Sequence, residues 1–320
     1  MTTTTLLVLA RGGHFTGAML LFALPFFAGW IVRPALAGAA PETWSAGAPF
    51  DRMLMTWFRG ALLLEALSGA AWFWLVAAQM SGTPPWSMPG TDDLNAVLWQ
   101  TQFGRLWLGR AVALAILAAI SMFAPRGSDS LFGKDRFWRG WLLFVSGALL
   151  MSLAWAGHAA AGIRDPNVHL VADMLHLLLG AVWPTGLVPF ALFLRHAGRA
   201  GQALPIESTL AAIQRFSQIS LAAVFILVTT GLVNAWLLVG SWAALFDSTY
   251  GRWLLLKVAV TGLMIGLGAW NRFVRLPRLA VASDDTLRYA ALRRNVVAEA
   301  ALAGVVVLIV GVLGMTPPPQ

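Results

Sequence analysis

Eight apolar stretches dominate the sequence, near 5–32, 53–79, 104–124, 138–160, 169–194, 213–240, 253–271 and 295–315. A bilayer core about 30 Å thick takes about 20 apolar residues to cross as a helix. Turn and charge residues fill the segments between the stretches, as in Pro84-Pro85, Pro89-Gly90, Arg126-Gly127-Ser128-Asp129 and Asp284-Asp285. Pro317-Pro318-Pro319 closes the last stretch, because proline cannot continue a helix. The expected fold is therefore an all-α polytopic bundle of about eight transmembrane helices, forming a single membrane domain over 1–320. Only 11% of the residues are charged, against about 25% in soluble domains, so a soluble enzyme is excluded.

The net charge of +8 raises nucleic acid as a partner, but the placement of the charges argues for lipid instead. Fifteen Lys and Arg flank the loops after the first, third, fifth and seventh stretches. The other three loops hold one each, Arg105, Arg164 and Arg252. Cationic loops stay on the cytoplasmic side, which puts both termini on the periplasmic side. The first stretch is too long for a cleaved signal peptide. There is no cysteine, so any metal site must draw on His, Met, Asp or Glu. No phosphate loop of the G-x-x-x-x-G-K-[ST] type occurs, so the chain carries no visible ATPase of its own.

The chain also resembles itself. An offset of 162 places His14 on His176, Gly69 on Gly231, Trp74 on Trp236 and Leu75 on Leu237. An offset of 147 places Phe103-Gly104-Arg105 on Tyr250-Gly251-Arg252, and Arg110 on Lys257. Four helices return the chain to its starting side, so the reading is a parallel 4+4 tandem repeat, 1–160 and 161–320. Transporters often place their site between such repeats.

Ionisable groups within the stretches are few: Arg11, His14, Arg59, Glu65, Arg110, Asp173, His176, Lys257 and Glu299, with His158 and His169 at stretch ends. Each costs roughly 2.5–3.5 kcal/mol to insert and usually faces the bundle interior. His14 lies about 12 Å in from the outer side at 1.5 Å per residue, and His176 at a similar depth. His158 and His169 lie at the outer ends of the fourth and fifth stretches. Met80, Met88, Met151, Met174 and Met315 fall on the same side. Imidazole suits copper and thioether suits Cu(I), so His14, His158 and His176 are the candidate metal ligands. Arg11 and Asp173 are expected to pair near the pseudo-axis, and Arg59 with Glu299. Glu65 is a candidate relay or ion stop. Arg110 and Lys257 are expected to snorkel to the head groups. Trp30, Trp57, Trp99, Trp138, Trp183, Trp242 and Trp253 are expected in an interfacial belt.

Several motifs carry a family resemblance. They are Trp155-Ala156-Gly157-His158-Ala159-Ala160, Asp173-Met174-Leu175-His176 on to Trp183, Arg215-Phe216-Ser217-Gln218, Thr230-Gly231 with Asn234-Ala235-Trp236, Tyr250-Gly251-Arg252 with Lys257, and Asn271-Arg272-Phe273. Together they resemble the bacterial copper resistance protein D (CopD) family across nearly the whole chain. The resemblance implies an inner-membrane copper homeostasis protein that is not an enzyme. It implies a periplasmic copper-binding partner of the CopC type, and copper ligation by His14, His158 and His176, with Cu(I) or Cu(II) left open. Trp183-Pro184-Thr185-Gly186 departs from the expected Trp-Leu-Gly-Gly, and Pro184 is expected to kink its helix or free a carbonyl. The leading expectation is copper movement across the inner membrane, with uptake favoured. The rivals are a haem-binding redox protein with His14 and His176 as axial ligands, and a copper sensor or scaffold that does not transport. Topology is checked by fusions after Gln320: alkaline phosphatase is expected to be active and a green fluorescent protein dark, and the opposite pattern would reverse the orientation.

Overall fold

The computed structural model of the chain describes residues 2–37, 41–123, 136–156, 165–198, 204–279 and 289–319. Among them every regular element is helical. Eight helices are long and apolar enough to cross a membrane: α1 Thr3–Ala35, α2 Ala48–Met80, α3 Gln102–Phe123, α4 Phe137–Ala156, α5 Pro166–Ala197, α6 Ile206–Val239, α7 Thr249–Leu279 and α8 Ala290–Leu313. This is the all-α, eight-span membrane bundle that the apolar stretches predict. Their ends follow local chemistry. The Thr2 and Ser248 side chains accept from backbone N–H groups in the first turns of α1 and α7. Pro166 opens α5 at a position where its missing N–H costs nothing. Gly240, at φ 72°, ends α6.

Three of the long helices widen into a π-helical turn beside a proline. The turns are Phe27–Val32 before Pro34, Ala181–Thr185 containing Pro184, and Asn271–Arg275 before Pro277. A proline lacks the N–H for the i→i−4 bond, and local re-registering re-satisfies the ladder. The irregularity expected at Pro184 therefore takes the form of a π turn.

Helices α1 and α5 form the centre. α1 packs on α2, α4, α5 and α8, while α5 packs on α6, α8, α4 and α1. α3 packs on α2 and α4, and α7 packs chiefly on α8. The apolar faces of α6 and α7 are mostly exposed, as suits helices whose neighbours are acyl chains. Lipid is as apolar as leucine, so close approach of backbones decides helix association. α1 meets α2 through Gly13 and Gly17, four residues apart. A Cβ on Gly13 would stand 3.2 Å from the Ser68 Cβ, and one on Gly17 3.0 Å from the Glu65 backbone. At the arginine-rich end the core is aromatic, with Phe27 set against Phe190, Phe193 and Phe216 at centroid distances of 6.3, 6.0 and 5.8 Å. Trp30, Trp57, Trp99 and Trp242 are exposed as an interfacial belt requires. Trp183 is not: it is 4% exposed, because α5 runs through the middle of the bundle.

The turns that lead into α3 and α7 are equally tight. A Cβ on Gly104 would overlap the Val97 and Leu98 carbonyls, and one on Gly251 the Leu245 and Ala244 carbonyls. Gly104→Ala and Gly251→Ala are each expected to destabilise by about 1–3 kcal/mol, read as a lower melting midpoint in detergent. Gly109→Ala and Gly262→Ala, with open space at the Cβ, are expected to leave the midpoint unchanged or slightly raised.

Candidate functional site

The α1–α2 crossing sets a polar cluster inside the bundle. Gly17 leaves room for Glu65: a Cβ there would stand 2.8 Å from Glu65 Oε2. Gly69 does the same for His14, since its Cβ would stand 2.9 Å from the imidazole Cε1. His14 precedes Gly17 by three residues and Glu65 precedes Gly69 by four, so each pair shares a helix face. The two crossing faces thus supply both the gap and the groups that fill it. His14 is 3% exposed and Glu65 1%.

Arg110 enters from α3 and uses all five of its N–H groups. Nε donates to His14 Nε2 at 3.1 Å. One terminal nitrogen donates to the Leu149 carbonyl at 2.7 Å and to Ser152 Oγ. The other donates to His14 Nε2 at 2.8 Å and to Glu65 Oε1 at 2.6 Å. His14 Nε2 therefore spends its lone pair on a guanidinium. Nδ1 carries the imidazole proton and donates to the Glu65 carbonyl at 3.2 Å. Trp107 stacks on His14 at 5.4 Å and Trp72 meets it edge-on at 5.5 Å. Trp107 Nε1 donates to the Gly69 carbonyl at 3.0 Å, and the Arg11 guanidinium lies 4.5 Å over Trp72. The cluster is closed: the charges are paired, and aromatic rings seal the imidazole.

A second, looser cluster surrounds His176 on α5. Its Nδ1 lies 3.1 Å from Thr230 Oγ1. That hydroxyl donates to the Ile226 carbonyl at 2.8 Å, so it accepts from the imidazole. Gly231 clears the ring, with a Cβ 3.3 Å from His176 Cε1. Asn234 donates to Asp173 Oδ1 at 3.4 Å. Lys257 of α7 acts electrostatically on both Asp173 and His176. A third group lies between α7 and α8: Asn271 donates to Glu299 Oε1 at 2.5 Å, and Asn295 donates to Asn271 Oδ1 at 2.8 Å.

His14 and His176 thus face different helices and sit in separate clusters. His158 lies outside the described residues, and His169 is buried at 2% exposure at the start of α5. Among the described residues no group of three or more His, Asp or Glu is placed to hold a metal ion. Arg11 and Asp173 do not pair: Arg11 turns onto Trp72 and Asp173 onto Asn234. Arg59 donates to the Ser121 carbonyl at 2.9 Å rather than to Glu299. Arg110 does not snorkel, because three other helices offer it acceptors at depth. Lys257 is half-buried on α7, with an electrostatic influence on Asp173 and His176. Met80 and Met88 are exposed, whereas Met174 and Met315 pack with Met19 against the apolar cluster shared by α1 and α5. The sequence reading missed the junction of His14, Glu65 and Arg110. Its only signal was the alignment of Gly69 with Gly231 and of Arg110 with Lys257.

An eight-helix bundle with charged groups paired inside its apolar interior is a polytopic membrane protein with an intramembrane polar site. The chain belongs to the copper resistance protein D family. The copper resistance protein D-like N-terminal domain matches residues 1–165, and the copper resistance protein D model matches 210–313. Copper resistance protein D of Pseudomonas syringae pv. tomato is 32% identical over 96% of the chain and 94% of its own length. The inner membrane protein YebZ of Escherichia coli is 26% identical over 95% of the chain and 96% of its length. The copper transport protein CutJ of Bacillus subtilis is 32% identical over 55% of the chain and 31% of its length. No solved structure matches the chain.

Arg110→Ala would leave Glu65 and His14 buried without their donor and is expected to cost about 3–5 kcal/mol. The double variant Arg110→Met with Glu65→Met removes both charges and is expected to cost less. Melting midpoints of the purified variants check the order, and a double variant worse than Arg110→Ala would contradict it.

Proposed function

We propose that this chain handles copper in the bacterial inner membrane and moves it across, with uptake from the periplasmic side. The observation that carries this reading is the convergence of His14 Nε2 and Glu65 Oε1, 3.3 Å apart, on a single cation. An imidazole nitrogen suits copper, and the carboxylate supplies compensating charge. In this reading copper competes with the Arg110 guanidinium for His14 Nε2, while Arg110 keeps the Leu149 carbonyl and Ser152 as alternative acceptors. His158 follows the α4 turn that carries Ser152, and serves as the outer ligand that hands copper to His14. His176 forms the matching station in the second half.

The relatives support the reading: one is named for copper resistance, one for copper transport and one for the inner membrane. The two halves, 1–160 and 161–320, act here as a parallel 4+4 repeat. The like contacts of His14 on Gly69 and of His176 on Gly231 support it, as does the packing of α1 on α2 and of α5 on α6. Both termini face the periplasm, and a soluble copper-binding protein of the CopC type delivers the ion there. The arginine-poor end, nearer to which His14 lies, is the side of entry.

Copper content and the visible spectrum of the purified protein test this, with wild type beside His14→Ala, His158→Ala and His176→Ala. Copper is expected to bind to the wild type and to be reduced in each variant. Unchanged copper in all three would remove the histidines from the site. A haem absorption band lost with His14→Ala or His176→Ala would replace copper transport by a haem-linked redox role.

A further inference from the structure

Glu299 lies on α8, nine residues in from Ala290, and is 2% exposed. Among the described residues its one hydrogen bond comes from an amide, Asn271 Nδ2. No basic group forms an ion pair with it among the described residues, in contrast to Glu65, which Arg110 holds. An ionised carboxylate in an apolar interior is strongly disfavoured without a cation. The neutral, protonated acid escapes that penalty, so the surroundings of Glu299 suit a carboxyl that carries its own proton.

The carboxyl also borders open space. A cavity of about 140 Å³ lies between α5, α6, α7 and α8, lined by Glu299, Asn271, Arg272, Ser217 and Ser220 among apolar neighbours. At roughly 30 Å³ per molecule it has room for several waters. Among the described residues Ser220 Oγ is buried there without a hydrogen-bond partner, an unsatisfied polar atom in a mostly apolar wall. Gly268 of α7 keeps the space beside the second carboxylate oxygen clear, with a Cβ that would stand 3.4 Å from Glu299 Oε2.

The charged groups nearby are few. Arg272 lines the same cavity but donates to Ser217 Oγ at 2.7 Å. Between His14 and Arg33 α1 has no titratable residue, and α5 has none between His176 and Arg195. The same holds for α6 beyond Arg215 and for α7 between Lys257 and Arg272. On α8 itself, Arg293 and Arg294 lie more than one turn towards the arginine-rich end.

We propose that Glu299 is an exchangeable proton site, loaded and unloaded through the cavity between α5, α6, α7 and α8, and that it couples proton movement to the transport proposed above. A proton adds to one carboxylate oxygen and leaves from the same atom, and no other bond changes. The coupling rests on the transport reading, but the proton site does not.

Two experiments separate them. Dicyclohexylcarbodiimide is an apolar reagent that takes the proton of a protonated carboxyl on nitrogen while the carboxylate oxygen adds to its central carbon, and the resulting O-acylisourea rearranges to a stable N-acylurea. Applied to the purified protein, it is expected to modify the peptide containing Glu299, less so as pH rises, and to leave Glu65 unmodified. Glu299→Gln is expected to abolish that adduct. A folded protein with no Glu299 adduct at any pH would overturn the proposal. So would labelling suppressed by sodium at constant pH, which would make this a metal-cation site. In proteoliposomes, Glu299→Gln is expected to keep wild-type copper binding while losing the response of copper flux to an imposed pH gradient. A retained gradient response would overturn the coupling. Copper binding absent from the wild type as well would instead overturn the transport reading, with the carbodiimide result still deciding the proton site.

Discussion

A guanidinium placed inside an apolar bundle must find an acceptor for every N–H, since neither lipid nor water is at hand to supply one. Arg110 meets that demand with His14 from α1, Glu65 from α2, and the Leu149 carbonyl and Ser152 from α4. One side chain therefore ties four helices together. The tie matters most for α3, whose buried residues are only Gly104, Arg110, Leu117, Ile120 and Ser121. Apolar packing alone would let a helix so widely exposed rotate or slide. The five directed bonds of Arg110 hold it in one rotation and one depth, and the Gly13–Gly17 contact of α1 with α2 brings the acceptors within reach.

The second half treats its charges differently. Lys257 stands where the offset of 147 places Arg110, and lysine is a point charge with three donors rather than a rigid fork. The carboxylate beside His176 is Asp173, on the same helix as the histidine, and its amide contact is long at 3.4 Å. The cavity next to Glu299 opens in this half as well. One half thus holds a closed cluster in which Arg110 uses every donor, and the other a looser cluster with internal space.

The sequence made the bundle legible because each span is encoded locally. A run of about 20 apolar residues is a helix in lipid whatever it touches, and the eight runs appear as α1–α8 with only their ends extended. Individual polar residues were less legible. Placing Arg110 at the head groups was reasonable for a long cation near a helix start, yet acceptors on other helices drew it inward. Pairing Arg11 with Asp173 followed from opposite charge at equivalent repeat positions. An aromatic face at 4.5 Å and an amide took those two groups instead. Trp183 failed as a belt residue because the position of α5 in the bundle, and not its own sequence, buries it.

By itself the sequence determined the helices, their number, their apolar faces and the short list of residues that had to be buried in polar company. Those follow from the hydropathy of contiguous residues and from the cost of charge in lipid. Only the tertiary structure decided who partners whom. His14, Glu65 and Arg110 lie 51 and 45 residues apart along the chain, and nothing local fixes the rotation of their three helices. The glycines at 17 and 69 set the close crossing of α1 with α2, and the bonds of Arg110 set α3 against it. The physical reason is that helix formation in a membrane depends on composition, whereas helix rotation depends on the shape of the contact surface, which no single helix contains.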